Sequence, residues 1–319
     1  MFTSPKLLRT LALPVLAAAT LLGLTACGGA GADGSDGGSG KTKIVASFYP
    51  MAWLAGEVGG AHVSVDTLTK PGAEPHDLEL TARQIADVRN ADFAVYVKGV
   101  QPAMDEAVAK HAKDKSLDAA SVVKTLPVAE DEHEHEAEGH EHEGAELTYD
   151  PHVWLDPSRM ATIATALGDR LAAADSGHAA DYKANAKALA GKLTALDQSF
   201  SAGLKPAKGK TIVTAHAAFA YLADRYGLKQ VSIAGVDPTS EPSPKRIAEL
   251  THEVRETGAT TIFTETLVSP KVAESLAREA KVHTAVLDPV EGIAKGSSDD
   301  YISIMKKNLE TLRTALAPA

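Results

Sequence analysis

Short apolar runs alternate with longer amphipathic stretches along this chain. Ile44 to Phe48, Val63 to Leu68 and Phe93 to Val97 read as strands, each brief and rich in β-branched or aromatic residues, and Ser121 to Leu126 reads as a weaker fourth. Between them, Met51 to Val58 and Thr81 to Arg89 carry helical patterning, with Thr81 placed to cap the second. The second half repeats the alternation. Thr211 to Thr214, Gln230 to Ile233, Thr260 to Thr264 and Val282 to Leu287 read as strands. Ala217 to Tyr226 reads as a helix stopped by Gly227, and Pro244 to Thr257 as one with proline near its start and Gly258 just past its end. Pro270 to Ala280 and Asp300 to Leu316 complete the set. Such alternation predicts an α/β protein with mainly parallel sheets flanked by helices.

One segment breaks the alternation. From Ala179 to Leu204 the apolar positions Ala186, Leu189, Leu193, Leu196 and Phe200 step by three and four, which is the spacing of one helix face. At 1.5 Å per residue this helix would be roughly 40 Å long, enough to cross a whole domain. It predicts a rigid strut between two lobes, 42–178 and 205–319.

The N-terminus follows another grammar. Lys6 and Arg9 precede an apolar run from Leu11 to Leu24, which has the form of a secretory leader and is short for a membrane span of about 20 residues. Its end, Leu24-Thr25-Ala26-Cys27, resembles the lipobox of bacterial lipoproteins. That resemblance implies a signal peptide over 1–26, a lipid on the Cys27 thiol, and an extracytoplasmic protein held at the outer face of the membrane. Cys27 is the only cysteine, so no intramolecular disulfide is available, and stability must come from packing. The Gly-, Ser- and Asp-rich stretch that follows, within 27–41, reads as a flexible tether.

The net charge of −10 is local. Glu130 to Glu146 holds nine acidic residues and no Lys or Arg, so the remainder is close to neutral and nothing points to nucleic acid. His133, His135, His140 and His142 lie among these acids. With no large apolar residue the segment has no core to bury, and its composition suits a weak metal-collecting loop.

Four other residues carry the chemistry. His76 stands in Glu74-Pro75-His76-Asp77, His152 between Pro151 and Pro157, His216 just past the Thr211–Thr214 strand, and Asp288 directly after Leu287. Ligands of strand-then-helix sheets gather at the carboxyl ends of strands. Three imidazoles and one carboxylate suit four-coordinate zinc. Individually each has an ordinary reading as a turn or cap residue. Together, at or near strand ends in both halves, they predict one site between the lobes. His62, His111, His178, His252 and His283 read as surface or packing residues.

Several long motifs resemble the metal-binding solute-binding proteins of ABC importers, the zinc and manganese cluster. They are Ala46-Ser47-Phe48-Tyr49-Pro50, Gly72-Ala73-Glu74-Pro75-His76-Asp77, the Asp150–Pro157 segment, the run from Thr214 to Leu222, and Leu287-Asp288-Pro289. The resemblance covers nearly all of the mature chain. It implies two lobes joined by a long backbone helix, with His76, His152, His216 and Asp288 as the metal ligands. It also implies a separate ATPase chain, a membrane permease as partner, and a monomer. Glu265 ranks below Asp288 as an alternative ligand or a partner behind one. Asp156 is placed to orient a histidine. Manganese members of the family often carry a carboxylate where His216 stands, and imidazole suits zinc, so zinc is expected, with manganese or iron as the alternative cargo. Zinc-handling relatives often carry an acidic, histidine-rich insertion just before the second ligand histidine, as here. The turn Gly99-Val100-Gln101-Pro102 departs from the Gly-x-Gly-Leu-Glu pattern of many relatives.

Other classes fit less well. A zinc hydrolase needs an open coordination position and a general base, and the chain has no His-Glu-x-x-His. Gly203 to Thr211 imitates a P-loop, but with five residues between Gly203 and Gly209, and it precedes a strand. Some surface lipoproteins of the family bind host components, and no residue pattern here speaks to adhesion.

Overall fold

The computed structural model describes residues 40–128, 148–239 and 242–317. The leader, Cys27, the tether and the four histidines between Glu130 and Glu146 lie outside the described residues.

The first half builds a parallel sheet in the order β2-β1-β3-β4, from β1 (Thr42–Ala46), β2 (Val63–Thr67), β3 (Phe93–Tyr96) and β4 (Ser116–Asp118). Three helices accompany it: α1 (Tyr49–Gly59), α2 (Ala82–Asn90) and α3 (Pro102–His111). Thr81 caps α2 in a reciprocal box, its hydroxyl accepting from Gln84 N while the Gln84 side chain accepts from Thr81 N. The second half repeats the order as β6-β5-β7-β8, from β5 (Thr211–Thr214), β6 (Lys229–Ser232), β7 (Thr261–Thr264) and β8 (His283–Val286). The remaining helices are α4 (Pro157–Ala174), α5 (Ala179–Leu204), α6 (Ala220–Tyr226), α7 (Pro244–Thr257), α8 (Lys271–Ala280) and α9 (Tyr301–Ala315). Two α/β lobes with parallel sheets and one long helix are thus present, as the alternation and the 179–204 spacing predict.

Two differences have physical causes. Ser121–Leu126 is not a strand: Ala119–Val122 is a 3-10 turn, and β4 lies just upstream. Val122, Val123 and Leu126 pack against the core without pairing, so their apolar character reflects burial and not a ladder. The reading above also assigns no helix between Pro157 and His178. There α4 buries Met160, Ile163, Ala164, Leu167 and Leu171, a helical stripe, with Asp156 as its cap and Pro157 at its first position.

α5 packs along α4 and touches both α1 and α9. It buries Tyr182, Ala186, Leu189, Leu193, Leu196, Phe200 and Leu204 along one face. Gly168 of α4 admits the close approach, since a Cβ there would lie 2.5 Å from that of Ala186. One hydrophobic cluster runs from Ile44 and Leu54 in the first half through α4 and α5 to Phe219, Leu287 and Tyr301 in the second. A continuous core resists large relative rotation of the lobes, because side chains packed to crystal density cannot shear freely.

The strand order sets the position of the site. In both sheets the chain leaves the first strand toward one neighbour and returns on the other side of it. The crevice beyond the carboxyl ends of β1/β3 and β5/β7 is therefore a topological switch point. His216 follows β5 and Glu265 follows the adjacent β7.

Candidate metal centre

His76, His152, His216 and Glu291 converge, each offering one nitrogen or oxygen within 4.8 Å of the others. Glu291 Oε1 lies 3.5 Å from His76 Nε2, 3.4 Å from His152 Nε2 and 3.2 Å from His216 Nε2. A tetrahedral zinc ion with bonds of 2.0–2.1 Å separates its ligand atoms by about 3.3 Å, and the three distances from Glu291 match that edge. The site is dry. His152, His216 and Glu291 have no exposure. Within it, Nε2 of His76, Nε2 of His152 and Oε2 of Glu291 have no hydrogen-bond partner. Buried polar atoms are rarely left unpaired, and two imidazole nitrogens orphaned beside a buried carboxylate are what a cation would satisfy.

Two of the imidazoles are oriented from behind. Asp150 Oδ1 accepts from both the backbone N and the ring Nδ1 of His152, each at 2.8 Å. Glu265 Oε1 accepts from His216 N at 3.1 Å and from its Nδ1 at 2.7 Å. A proton held at Nδ1 leaves the Nε2 lone pair for the centre. Glu265 thus lies behind His216 and outside the cluster. Asp156 is not a histidine's partner. It caps α4 through Ser158 N at 2.8 Å and pairs with Arg159, and Asp150 does the orienting instead.

Asp288 does not join the cluster. Its Oδ2 accepts from Thr266 Oγ1 at 3.1 Å and its Oδ1 from Val290 N at 2.7 Å. The second bond closes a turn across Pro289 and holds Val290 at a φ of 59°, a left-handed conformation that a β-branched residue rarely adopts. That turn swings Glu291 inward. The Leu287-Asp288-Pro289 motif therefore marks the bend, and the carboxylate it delivers is three residues on. Glu291 carries no signal of its own in the sequence.

Cross-links tie the lobes at this point. Trp154 Nε1 donates to Pro289 O at 2.8 Å, and Tyr301 Oη donates to Trp154 O at 2.5 Å. Tyr221 Oη donates to Asp150 O at 2.5 Å and accepts from Leu126 N at 3.0 Å.

The electrostatics follow from burial and proximity. Burial opposes a charge on His216, yet the carboxylates of Glu291 and Glu265 hold its pKa well above 6.5. Burial likewise opposes ionisation of Glu291, and the facing imidazoles, His216 foremost, hold it well below the usual carboxylate range. In His152 the burial penalty is outweighed by Asp150, and its pKa is raised. The facing imidazoles and carboxylates therefore favour the protonated ring and the ionised acid in each other's presence. Glu74, whose Oε1 accepts from His76 N at 3.1 Å, is pushed up to about 8 by burial and by the Glu291 charge. Glu74 also lines a cavity of about 320 Å³ with Asp77, Ile233 and Leu267.

Residues 44–315 match the family model described as "Zinc-uptake complex component A periplasmic". The chain belongs to that family. The zinc-binding protein AdcA of Streptococcus pyogenes serotype M3 is 40% identical over 287 residues, which are 86% of this chain and 56% of that protein. The chain therefore spans little more than half the length of its AdcA relatives. The high-affinity zinc uptake system protein ZnuA of Bacillus subtilis is 36% identical over 307 residues, 95% of this chain and 96% of that one. Among solved structures, the Zn(II)-bound ZnuA-like domain of Streptococcus pneumoniae AdcA superposes with a TM-score of 0.73 at 35% identity, covering 88% of this chain and 100% of the domain. The fold of that Zn(II)-bound domain is the fold found here.

Proposed function

We propose that this protein captures Zn2+ outside the cytoplasm through His76, His152, His216 and Glu291 and delivers it to the membrane permease of an ABC importer. The observation that carries this reading is the convergence of three buried Nε2 atoms on the Glu291 carboxylate, with His76 Nε2 and His152 Nε2 left without a hydrogen-bond partner. Three imidazoles favour zinc over manganese, which prefers oxygen-rich shells. The family and the names of the relatives agree with that cargo. In this reading no catalytic step occurs: four protein ligands close the shell, leaving no position for an activated water. Cys27 bears the lipid that holds the chain at the membrane, and the segment Glu130–Glu146 feeds the centre as a weaker, auxiliary metal-binding loop.

Zinc must displace a proton from the His216 ring to bind its Nε2. His216 titrates above 6.5 in the metal-free fold, so its pairing with Glu291 stabilises that fold below 6.5 and is lost as pH rises through the elevated value. Zinc binding runs the other way, because it requires the neutral ring. Near neutral pH, binding is expected to release at least one proton from the imidazoles, and affinity to fall at least about tenfold for each pH unit below the His216 titration, because His152 is raised as well. Calorimetry of zinc binding in buffers of different ionisation enthalpy checks this. A heat independent of buffer would contradict it.

A further inference from the structure

The three imidazoles are not supported alike. His152 and His216 are each fixed at Nδ1 by a buried carboxylate. Among the described residues no group bonds the His76 ring at Nδ1, and its backbone N donates to Glu74 Oε1. The placement of His76 therefore depends on the loop that carries it. That loop is gripped by Gln101, which is 1% exposed and stands just past β3, in the turn where this chain departs from many relatives. Gln101 Nε2 donates to Pro75 O at 3.0 Å and to Thr69 Oγ1 at 2.8 Å. Thr69 in turn donates to Ser47 O at 3.0 Å, beyond the end of β1.

The amide has only one workable orientation. Pro75 O is an acceptor, and the Thr69 hydroxyl has spent its hydrogen on Ser47, so both require the Nε2 face. Gln101 Oε1 is consequently turned away, buried and unpaired. An apolar side chain of the same volume would avoid that penalty. The residue keeps the penalty and with it the hold on Pro75, the residue before His76.

We infer that Gln101 is a positioning residue for the metal centre, fixing His76 through the Pro75 carbonyl in place of the carboxylate that orients each of the other two imidazoles. The inference rests on His76 being a ligand, as proposed above. Gln101→Glu keeps the size but sets an oxygen against Pro75 O, and Gln101→Met fills the volume without a donor. Each is expected to weaken zinc binding roughly ten- to a hundredfold, the range for groups that orient a ligand from behind. The deciding experiment measures zinc affinity by chelator competition for both variants, alone and in a His76→Ala background. With His76 gone, the Gln101 substitutions should cost no further affinity. An equal loss in both backgrounds would reduce Gln101 to a structural role and overturn the inference, as would unchanged affinity with His76 present. If His76→Ala by itself leaves zinc binding intact, the ligand assignment fails, and that result is distinct from a failure confined to Gln101.

Discussion

Glu291→Gln should weaken zinc binding on the order of a thousandfold, while Asp288→Asn should change it by less than about tenfold. Glu291 is fully buried and faces all three Nε2 atoms at 3.2–3.5 Å. In the proposed centre, removing its charge would leave a dication in a buried site without an anionic ligand, a change of about 3–5 kcal/mol when one partner of a buried charge pair is lost. Asp288 has a different task. Its Oδ1 receives Val290 N, and an asparagine oxygen can accept the same bond, so the turn that presents Glu291 should survive. Equilibrium competition against a zinc chelator separates the two. Comparable losses from both substitutions would mean that Asp288 reaches the metal, and a larger loss from Asp288→Asn would restore it as the ligand.

Trp154→Ala should lower the stability of the metal-free protein by about 3–5 kcal/mol, as expected for deleting a large buried aromatic. The ring has no exposure and meets Phe48 edge-on at 4.8 Å. Its Nε1 binds Pro289 O, and its own carbonyl receives Tyr301 Oη, so it links the His152 segment to the turn that carries Glu291. Trp154→Phe should recover much of the stability but leave Pro289 O without its donor. Zinc affinity should then remain reduced although the fold is restored. Denaturant midpoints and zinc titrations on the same samples check this. A Phe variant that binds zinc as tightly as the parent would show that the indole only fills space.

The parts legible in the sequence were those governed by local pattern. α5 and α7 fall where the three-and-four spacing and the Pro and Gly boundaries place them, and Thr81 forms the box its position suggests. His76, His152 and His216 could be read because each stands beside a proline or a strand end, and their neighbours match the family. Glu291 could not, because its entry into the centre depends on a left-handed Val290 that local pattern disfavours. Asp288 attracted the assignment since Asp-Pro at a strand end is conspicuous, and the structure uses it for the bend. The orienting role went to Asp150 and not to Asp156. Two acids flank the same histidine, and only three-dimensional geometry tells a ring partner from a helix cap. α4 was equally legible in principle, since its apolar stripe is as regular as that of α5 and Asp156-Pro157 marks its start.

The central claim is a single tight zinc centre built from the four converging side chains and independent of the acidic loop. It is tested most directly by titrating zinc and manganese in competition into the chain lacking Asp131 to Glu143, with and without His76→Ala and His216→Ala together. One tightly bound zinc per loop-deleted chain, preferred over manganese, is expected, and no tight binding once both histidines are removed. Preference for manganese, loss of the tight site with the loop, or tight zinc binding retained by the double variant would contradict it.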